Sequence, residues 1–497
     1  MTSPAAVIVL AAGAGTRMKS ATPKVLHRIG GRTLLGHVLA TARALDPAHL
    51  VTVVRHEREA VAAHVAEVDP AALIADQDDV PGTGRAVQCA LEALEAATGA
   101  PCEGAVVVLA GDVPLLDAGT LAALLEAHEA DGNAVTALST LVEDPTGYGR
   151  VVRGPDGEVT GVVEHKDATP EQLAINEINA SVYVFDGAAL REGLSGVDRD
   201  NAQGEVYLTD VLALARRAGR RVAALVAEDS IVVEGVNDRT QLATLGAELN
   251  RRTLTRWMLE GVTVVDPATT WVDVEVELAP DVTLLPGTQL HGATTVATGA
   301  VIGPDTTLTD VEVGEGATVA RTHGSLAIVG AGASVGPFSY LRPGTVLGAQ
   351  GKIGAYVETK NAEIGAGSKV PHLSYIGDAT IGEHTNVGAA SVTLNYDGTN
   401  KHRTTIGSYV RIGGDTMMVA PVTVGDGAYT GAGAVLRRDV PPGALAVTTG
   451  SQRNIEGWVA SRFPDSAAAR AAAAAQPTDE QPPAPTGDAE PTDGDPS

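Results

Sequence analysis

Residues 272–308 read VDVEVELAPDVTLLPGTQLHGATTVATGAVIGPDTTL, and in them Val272, Leu278, Leu284, Leu290, Val296, Ile302 and Leu308 recur at intervals of six. Two further runs keep the beat: Val329, Val335, Leu341, Leu347, Ile353, and then Ile406, Ile412, Met418, Val424. An α-helix repeats its faces about every 3.6 residues and a strand about every two, so a period of six belongs to neither. It marks a parallel β-helix, in which each hexad supplies a short strand and a turn, and three hexads close one triangular coil. The aliphatic side chains then stack inward from coil to coil. Gly follows the aliphatic residue at Ile302, Val313, Val329, Val335, Ile353, Ile364, Ile376, Ile381, Val387, Ile406, Ile412 and Val424, and is expected to supply positive φ at the corners. The repeat runs from Val272 to about Leu436.

Ahead of the repeat the period changes. Ala6–Leu10, Leu50–Val54 and Ala105–Leu109 read as buried strands, and Leu34–Ala44, Ala60–Val68, Arg85–Ala97 and Thr120–Ala130 as helices. Such alternation gives a Rossmann-like, mostly parallel sheet covered on both faces, with its ligands at the carboxyl ends of the strands. Asp238 and Gln241 resemble a capping box, and Leu242, Leu245, Leu249, Leu254, Trp257 and Met258 form a helical face, so a helix should link sheet to coil. Beyond Phe463 an Ala run gives way to Pro, Asp, Glu and Thr. That tail has too little apolar surface to offset its ordering entropy and is expected to be disordered.

The formal net charge of −26 argues against a general nucleic-acid or membrane-surface binder, since phosphate binding needs an excess of Lys and Arg. Cys89 and Cys102 are too few for a disulfide scaffold or a Cys-rich zinc site. Val7–Ala12 is a short apolar strand with no basic segment before it, not a signal peptide, and no apolar run reaches spanning length. A reducing cytoplasm is the expected compartment.

Directly after the first strand stands Leu10-Ala11-Ala12-Gly13-Ala14-Gly15-Thr16-Arg17-Met18, followed by Pro23-Lys24. Glycines let backbone N–H groups converge on phosphate oxygens, and Arg17 and Lys24 add positive charge. Met18 occupies the place of the third Gly of a dinucleotide loop, and no G-K-[ST] is present for a Walker loop. A bare strand–helix turn is the other reading of this segment. Gln77 precedes a second glycine loop, Pro81-Gly82-Thr83-Gly84, and Ala110-Gly111-Asp112-Val113-Pro114 ends a strand with a carboxylate. One Asp beside a triphosphate suffices for Mg²⁺, although an Asp after a strand is also a common helix cap or turn residue.

These words, L-x-x-G-x-G-T-R-M with P-K and then G-D-V-P, resemble those of the sugar-phosphate nucleotidylyltransferases. Gly147-Tyr148-Gly149-Arg150, Val163-Glu164-His165-Lys166-Asp167, Glu177-Ile178-Asn179 and Glu234-Gly235-Val236-Asn237 narrow the match. With the hexads they resemble the bifunctional N-acetylglucosamine-1-phosphate uridylyltransferase/glucosamine-1-phosphate acetyltransferases of bacterial cell-wall synthesis, over residues 6 to about 460. The resemblance implies a nucleotidylyltransferase domain at 1–237, a linker helix at 238–261, a left-handed β-helix acetyltransferase domain at 262–460 and a disordered acidic tail at 461–497. It implies that Leu10, Ala11, Ala12, Gly13, Gln77, Gly82 and Thr83, with the Ala110-Gly111 strand end, hold UTP. Lys24 would contact its phosphates, and Arg17 would stabilise charge at the triphosphate. Gly149, Glu164 and Asn179 would hold N-acetylglucosamine-1-phosphate, and Asp112 with Asn237 one Mg²⁺. Arg85 departs from the His expected after G-T-G.

On the coil, Arg342 and Glu358-Thr359-Lys360 place cations near an edge, suited to a sugar phosphate. His372 lies among polar residues, and Asn395-Tyr396-Asp397-Gly398 sits in a long break between Val387 and Ile406 that should loop out. The resemblance implies His372 as general base, and Arg342, Lys360, Tyr375 and Asn386 on glucosamine-1-phosphate. It implies Ala389, Asn395, Tyr396 and Ala432 on the sugar or on acetyl-CoA, and a homotrimer with donor sites between coils. Gly414 stands where Ser is usual and Thr449 where some members have Arg, both on the acetyl-CoA side, and Arg453 is a possible substitute for the latter. Two rivals remain at this stage: a nucleotidylyltransferase whose coil is only scaffold, and a non-catalytic binding protein retaining both folds.

Overall fold

The computed structural model describes residues 3–448, 450 and 452–475. The chain divides into two compact units, Met1–Val447 and Thr448–Ser497.

The first unit opens with a nine-stranded sheet, ordered Val222–Ala227, Val135–Leu141, Glu177–Asp186, Ala105–Ala110, Ala6–Leu10, His49–Val54, Leu73–Asp76 along its main path. Glu177–Asp186 is antiparallel to both neighbours and carries the hairpin Arg150–Arg153/Val159–Val163; the other main pairings are parallel. Ala6 and Ile8 enter one apolar layer while Val7 and Val9 enter the other. Both faces of this strand are therefore buried, which is why it reads as an unbroken apolar run. Side-chain caps set helix starts: Thr33 accepts from Gly36 N at 2.9 Å, and Asp117 accepts from Thr120 N at 2.9 Å, so the fourth helix begins at Ala118 and not at Thr120.

The linking helix is Arg239–Leu259. Asp238 caps it, accepting from Thr240 N and Gln241 N at 2.9 and 3.0 Å. Gln241 does not return the bond to Asp238, as a capping box would; its Oε1 takes Asn237 N at 2.8 Å instead. Leu245 packs with Met18, Leu34 and Val236, while Leu254 and Trp257 join the core of the coil, so one helix ties the two regions together. Met258, expected on that face, is exposed.

Parallel rungs then climb from Thr263–Val264 to Leu445–Ala446, one strand beyond the hexads at each end. Every aliphatic residue of the three runs is buried. The glycines after them serve a different purpose from the one expected. Only Gly303 and Gly336 of that set have positive φ. The rest, except Gly377 beneath the Tyr375 ring, lie flat against the next rung: a Cβ on Gly330 would meet Ala349 N at 2.7 Å, and one on Gly388 would meet Gly414 N at 2.4 Å. The left-handed corner comes two residues later, where Phe338, Gln350, Tyr356, His384, Ala390, Tyr409 and Asp415 adopt it without being glycine. Close approach of backbones, not corner conformation, therefore selects these glycines. Leu308 is fully buried in the stack. We expect Leu308→Ala to cost about 2–5 kcal/mol, seen as a lower urea midpoint with an unchanged slope.

In the second unit Trp458–Arg462 and Ala467–Ala474 are helical. The Ala run, expected to be disordered, thus folds locally: Ala is the strongest helix former, and Ser466 caps the turn by accepting from Ala469 N at 3.0 Å. The remainder of the tail, 476–497, lies outside the described residues. No helix among the described residues is long and apolar enough to cross a membrane.

Candidate active sites

The carboxyl ends of Ala6–Leu10, His49–Val54 and Ala105–Ala110 open onto a cavity of about 460 Å³, lined by Leu10, Ala11, Ala12, Gly13, Lys24, Gln77, Gly82, Thr83, Ala110, Asp112 and Glu164 among others. The first loop builds one wall. Gly15 holds φ +59°, and a Cβ on it would come within 2.5 Å of Lys24 Cβ, so glycine lets the loop close over the lysine stem. Lys24 Nζ is ion-paired to Asp112 Oδ2, both side chains being largely buried. Arg17 Nη2 donates to Asn237 Oδ1 at 2.8 Å, and Val236 N donates to Asp112 O at 2.9 Å. Arg17, Lys24, Asp112 and Asn237 thus converge although their sequence positions are far apart.

The loop leads into a single 3₁₀ turn, Thr16–Met18, and not into a long helix. Phosphate oxygens would therefore meet loop N–H groups and two cations without a long helix dipole behind them. Met18 is buried against Leu34, Leu115, Val236 and Leu245, plugging the junction with the linking helix. The second loop does start a long helix, Thr83–Thr98. Gly82, at φ +122°, is forced: a Cβ there would sit 2.2 Å from Val206 O.

Gly149, Glu164 and Asn179 form a second group. Gly149 O accepts from Asn179 N at 2.9 Å, Asn179 Nδ2 donates to the Tyr183 hydroxyl at 2.6 Å, and a Cβ on Gly149 would come 3.4 Å from Glu164 Oε2. Burial pushes the Glu164 carboxyl up, opposed by a bond from Thr209 and reinforced by Asp167, Asp210 and Glu205. Gly111 N donates to Leu10 O at 2.9 Å and joins the two strand ends. Arg55, His56, Ser181, Tyr183, Glu205 and Thr209 also line the cavity and were not anticipated. Arg55 and His56 directly follow the strand His49–Val54, so the carboxyl-end rule applied to the other two strands would have found them. Asp112 offers a carboxylate, and Asn237, whose neighbour Val236 bonds the Asp112 carbonyl, offers an amide oxygen, and no group of three or more His, Cys, Asp or Glu able to hold a metal occurs among the described residues. An all-oxygen pair of this kind suits a hard divalent cation completed by water and phosphate.

On the coil the predicted residues fall on two edges of one face. Ala390 N donates to His372 O, Asp415 N to Ala389 O and Gly433 N to Gly414 O, at 3.3, 2.7 and 2.9 Å. His372, Ala389, Gly414 and Ala432 therefore form one column on successive rungs. A Cβ on Gly414 would meet only Ala389 O at 3.4 Å and Ala389 N at 3.9 Å, so a serine fits and its absence removes only a hydroxyl. The other edge gathers charge. Arg342 N donates to Thr359 O at 2.9 Å, which puts Arg342 in register with Lys360. Asn395 Nδ2 donates to Asp378 Oδ2 at 2.5 Å and reaches the Tyr375 hydroxyl at 3.4 Å, so the Tyr375 ring crosses the face toward this edge. Lys401, missed by sequence reasoning, belongs here: the like charge of the neighbouring Lys360 holds its ammonium below the ordinary lysine range. Burial would raise the Asp378 carboxyl, but bonds from Asn361 and Asn395 and the charges of Lys360 and Lys401 bring it below the usual range. The basic run Asn400-Lys401-His402-Arg403 inside the hexad break was the available signal.

The break does loop out: Tyr396 bridges to Lys401, and Asp397 accepts from Thr399 N, Asn400 N and His402 Nε2 at 2.8, 2.7 and 2.7 Å. Asn386 lies apart, on the neighbouring face, in register with Lys369 and Arg411. Thr449 lies outside the described residues, and Arg453 is exposed in the second unit.

Residues 7–170 match the family model of the MobA-like NTP transferase domain. The chain is 67% identical over 469 residues to the Bifunctional protein GlmU of Kineococcus radiotolerans, covering 94% of each. It is 64% identical over 474 residues to that of Pseudarthrobacter chlorophenolicus (95% of this chain, 96% of the relative) and 64% over 473 to that of Paenarthrobacter aurescens (95% of each). Identity of this level along both the sheet and the coil leaves one conclusion: the chain belongs to the family of bifunctional GlmU proteins.

Proposed function

We propose that the chain carries out two successive transfers in the synthesis of UDP-N-acetylglucosamine. The coil region, 262–460, moves the acetyl group of acetyl-CoA to the amine of glucosamine-1-phosphate. The sheet region, 1–237, joined by the linker 238–261, then moves the uridylyl group of UTP to N-acetylglucosamine-1-phosphate and releases pyrophosphate. The observation that carries this reading is the crossed pair of contacts, Lys24 with Asp112 and Arg17 with Asn237, in and beside a nucleotide-sized cavity.

In that cavity Gln77, Gly82, Thr83 and the backbone of Leu10–Gly13 hold the uridine nucleotide, and Gly149, Glu164 and Asn179 the amino sugar. A sugar-phosphate oxygen attacks the α-phosphorus in line and pyrophosphate leaves, so positioning and charge neutralisation dominate. Asp112 and Asn237 would hold one Mg²⁺, which when bound supplies charge neutralisation at the triphosphate. As the triphosphate enters, Lys24 and Arg17 exchange the Asp112 and Asn237 oxygens for phosphate oxygens and leave both oxygens free. On the coil, Arg342, Lys360 and Lys401 take the phosphate of glucosamine-1-phosphate, and Tyr375 and Asn395 its sugar. Ala389, Tyr396, Gly414 and Ala432 face acetyl-CoA. The test is pyrophosphate release from UTP: with glucosamine-1-phosphate it requires acetyl-CoA, and with N-acetylglucosamine-1-phosphate it does not. Equal release with both sugars in the absence of acetyl-CoA would reduce the coil to scaffold.

Three copies form the working assembly. Supporting this, Phe338, Tyr356 and Leu373 are 51, 59 and 62% exposed along the corner next to His372, with the two rings stacked at 5.3 Å. An apolar strip of this kind calls for a partner surface. Deleting everything after Pro464 should leave the mass by light scattering at three chains and both activities intact. A monomer that still acetylates would show that the donor site is built within one chain.

A further inference from the structure

Arg85 is the departure that the function has not absorbed, and its surroundings say what it does. It is the third residue of the helix Thr83–Thr98, directly behind the glycine loop, yet it does not line the cavity. Its guanidinium is committed elsewhere: Nε and Nη2 donate to Asp78 Oδ2 at 3.0 and 2.7 Å, and Nη1 donates to Glu92 Oε1 at 3.0 Å. A cation in the first turn of a helix opposes the helix dipole, so it persists there because carboxylates hold it. Held in this way, it has no free fork for a phosphate.

Asp78 is the residue after Gln77 and also accepts from Val80 N at 3.0 Å, so the bond from Arg85 fixes the loop Gln77–Gly82 from behind. Within the loop Gln77 Nε2 donates to Val80 O and Gly82 O at 3.0 and 3.1 Å. Both partners are carbonyls, which settles the orientation of the amide: its N–H groups are used, and Oε1 is what remains for a ligand. An acceptor in that position suits a base with an N–H on its pairing edge. Uracil offers N3–H at the centre of that edge, whereas cytosine has a bare N3 lone pair there and carries its only edge donor at one end, on the exocyclic N4. Arg55 holds the next residue, Asp79, but through long contacts, 3.4 Å to its carbonyl oxygen and 3.6 Å to its fully exposed carboxylate. Arg85 is the stronger restraint.

We propose that Arg85 is a specificity-determining positioning residue, which through Asp78 holds Gln77 in the orientation that distinguishes uridine from cytidine triphosphate. The inference rests on the uridylyl-transfer reading and extends it to a residue outside the cavity. Arg85→Ala should raise KM for UTP by about 5- to 20-fold with kcat and KM for the sugar phosphate nearly unchanged, because ground-state and transition-state binding of the base weaken together. The UTP-to-CTP preference in kcat/KM should fall by a similar factor. Asp78→Asn should reproduce both changes, Arg85→Lys should lie between, and Arg85→Ala/Asp78→Asn should be no worse than either single change, since the two act as one unit. Thermal midpoints should stay close to wild type, exposed ion pairs contributing little to stability. A normal KM for UTP with normal discrimination in Arg85→Ala, or full additivity with Asp78→Asn, would overturn the inference while leaving uridylyl transfer in place. A parallel rise in both KM values with a lowered midpoint would reduce Arg85 to a structural residue. A wild-type protein that releases no pyrophosphate from UTP would remove the underlying reading instead.

Discussion

Asp112→Ala should lose UTP-dependent pyrophosphate release while acetyl transfer continues. Asp112 stands in the turn directly after the strand Ala105–Ala110, and its carboxylate is the only one in contact with Lys24 among the described residues. Removing it has two consequences. Lys24 keeps its charge in a largely buried position without a partner, a costly state that it relieves by moving. The carboxylate that Asp112 would offer, with Asn237, to a hard cation at the triphosphate is also lost. Loss of one preorganised charge-stabilising group typically lowers kcat by about 10²–10³-fold, and here two are disturbed together. Asp112→Asn separates the two roles, because it keeps an oxygen but not the charge. If the carboxylate serves the cation, this variant demands far more Mg²⁺ for residual activity; if it only steers Lys24, the Mg²⁺ dependence stays put. Acetyl transfer is the internal control, because Arg342, Lys360 and His372 lie on the coil. A folded variant of wild-type mass that has lost both activities would defeat the two-site reading.

How much of this was legible in the sequence depends on the range of the interactions. The hexads were read correctly because one period governs every rung: Leu290 and Leu308 stack by the same rule wherever they lie. The glycines after them were assigned the wrong role, since φ at a corner and backbone approach between rungs both select glycine and only coordinates separate Gly388 from Ala390. Asp112, Lys24 and Arg17 sit in local words after strands and could be found. Their pairing across the junction, with Asn237 fixed by Gln241 and not by its own cap, is a long-range fact that no spacing contains. Lys401 escaped for the same reason. It comes 41 positions after Lys360 in the chain, but the loop between Asn395 and Arg403 folds it back onto the same edge.

His372→Ala should depress acetylation by about 10²–10⁴-fold and spare uridylyl transfer, the range expected for loss of a general base. His372 ends the strand Lys369–His372, and its main chain is fixed at the corner: its carbonyl accepts from Ser374 Oγ at 2.7 Å and from Ala390 N at 3.3 Å. Its side chain is exposed at the head of the column that continues through Ala389, Gly414 and Ala432. The acceptor amine needs no base to become a nucleophile, since an amine with a pKa of roughly 8 is partly neutral at pH 7. The need arises later. When nitrogen attacks the thioester carbonyl it becomes cationic, the C–S bond must break to release the thiolate of CoA, and the extra proton on nitrogen has to leave. Imidazole is the side chain suited to receiving it near neutral pH. Two alternatives give different data. If His372 only hydrogen-bonds the sugar, the alanine variant shows a raised KM with kcat retained. If it carries the acetyl group, initial rates give parallel double-reciprocal lines, and mass spectrometry after incubation with acetyl-CoA alone finds the chain heavier by one acetyl group on His372. That adduct would end the general-base assignment; its absence, with kcat lowered and KM little changed in His372→Ala, is the result the geometry predicts.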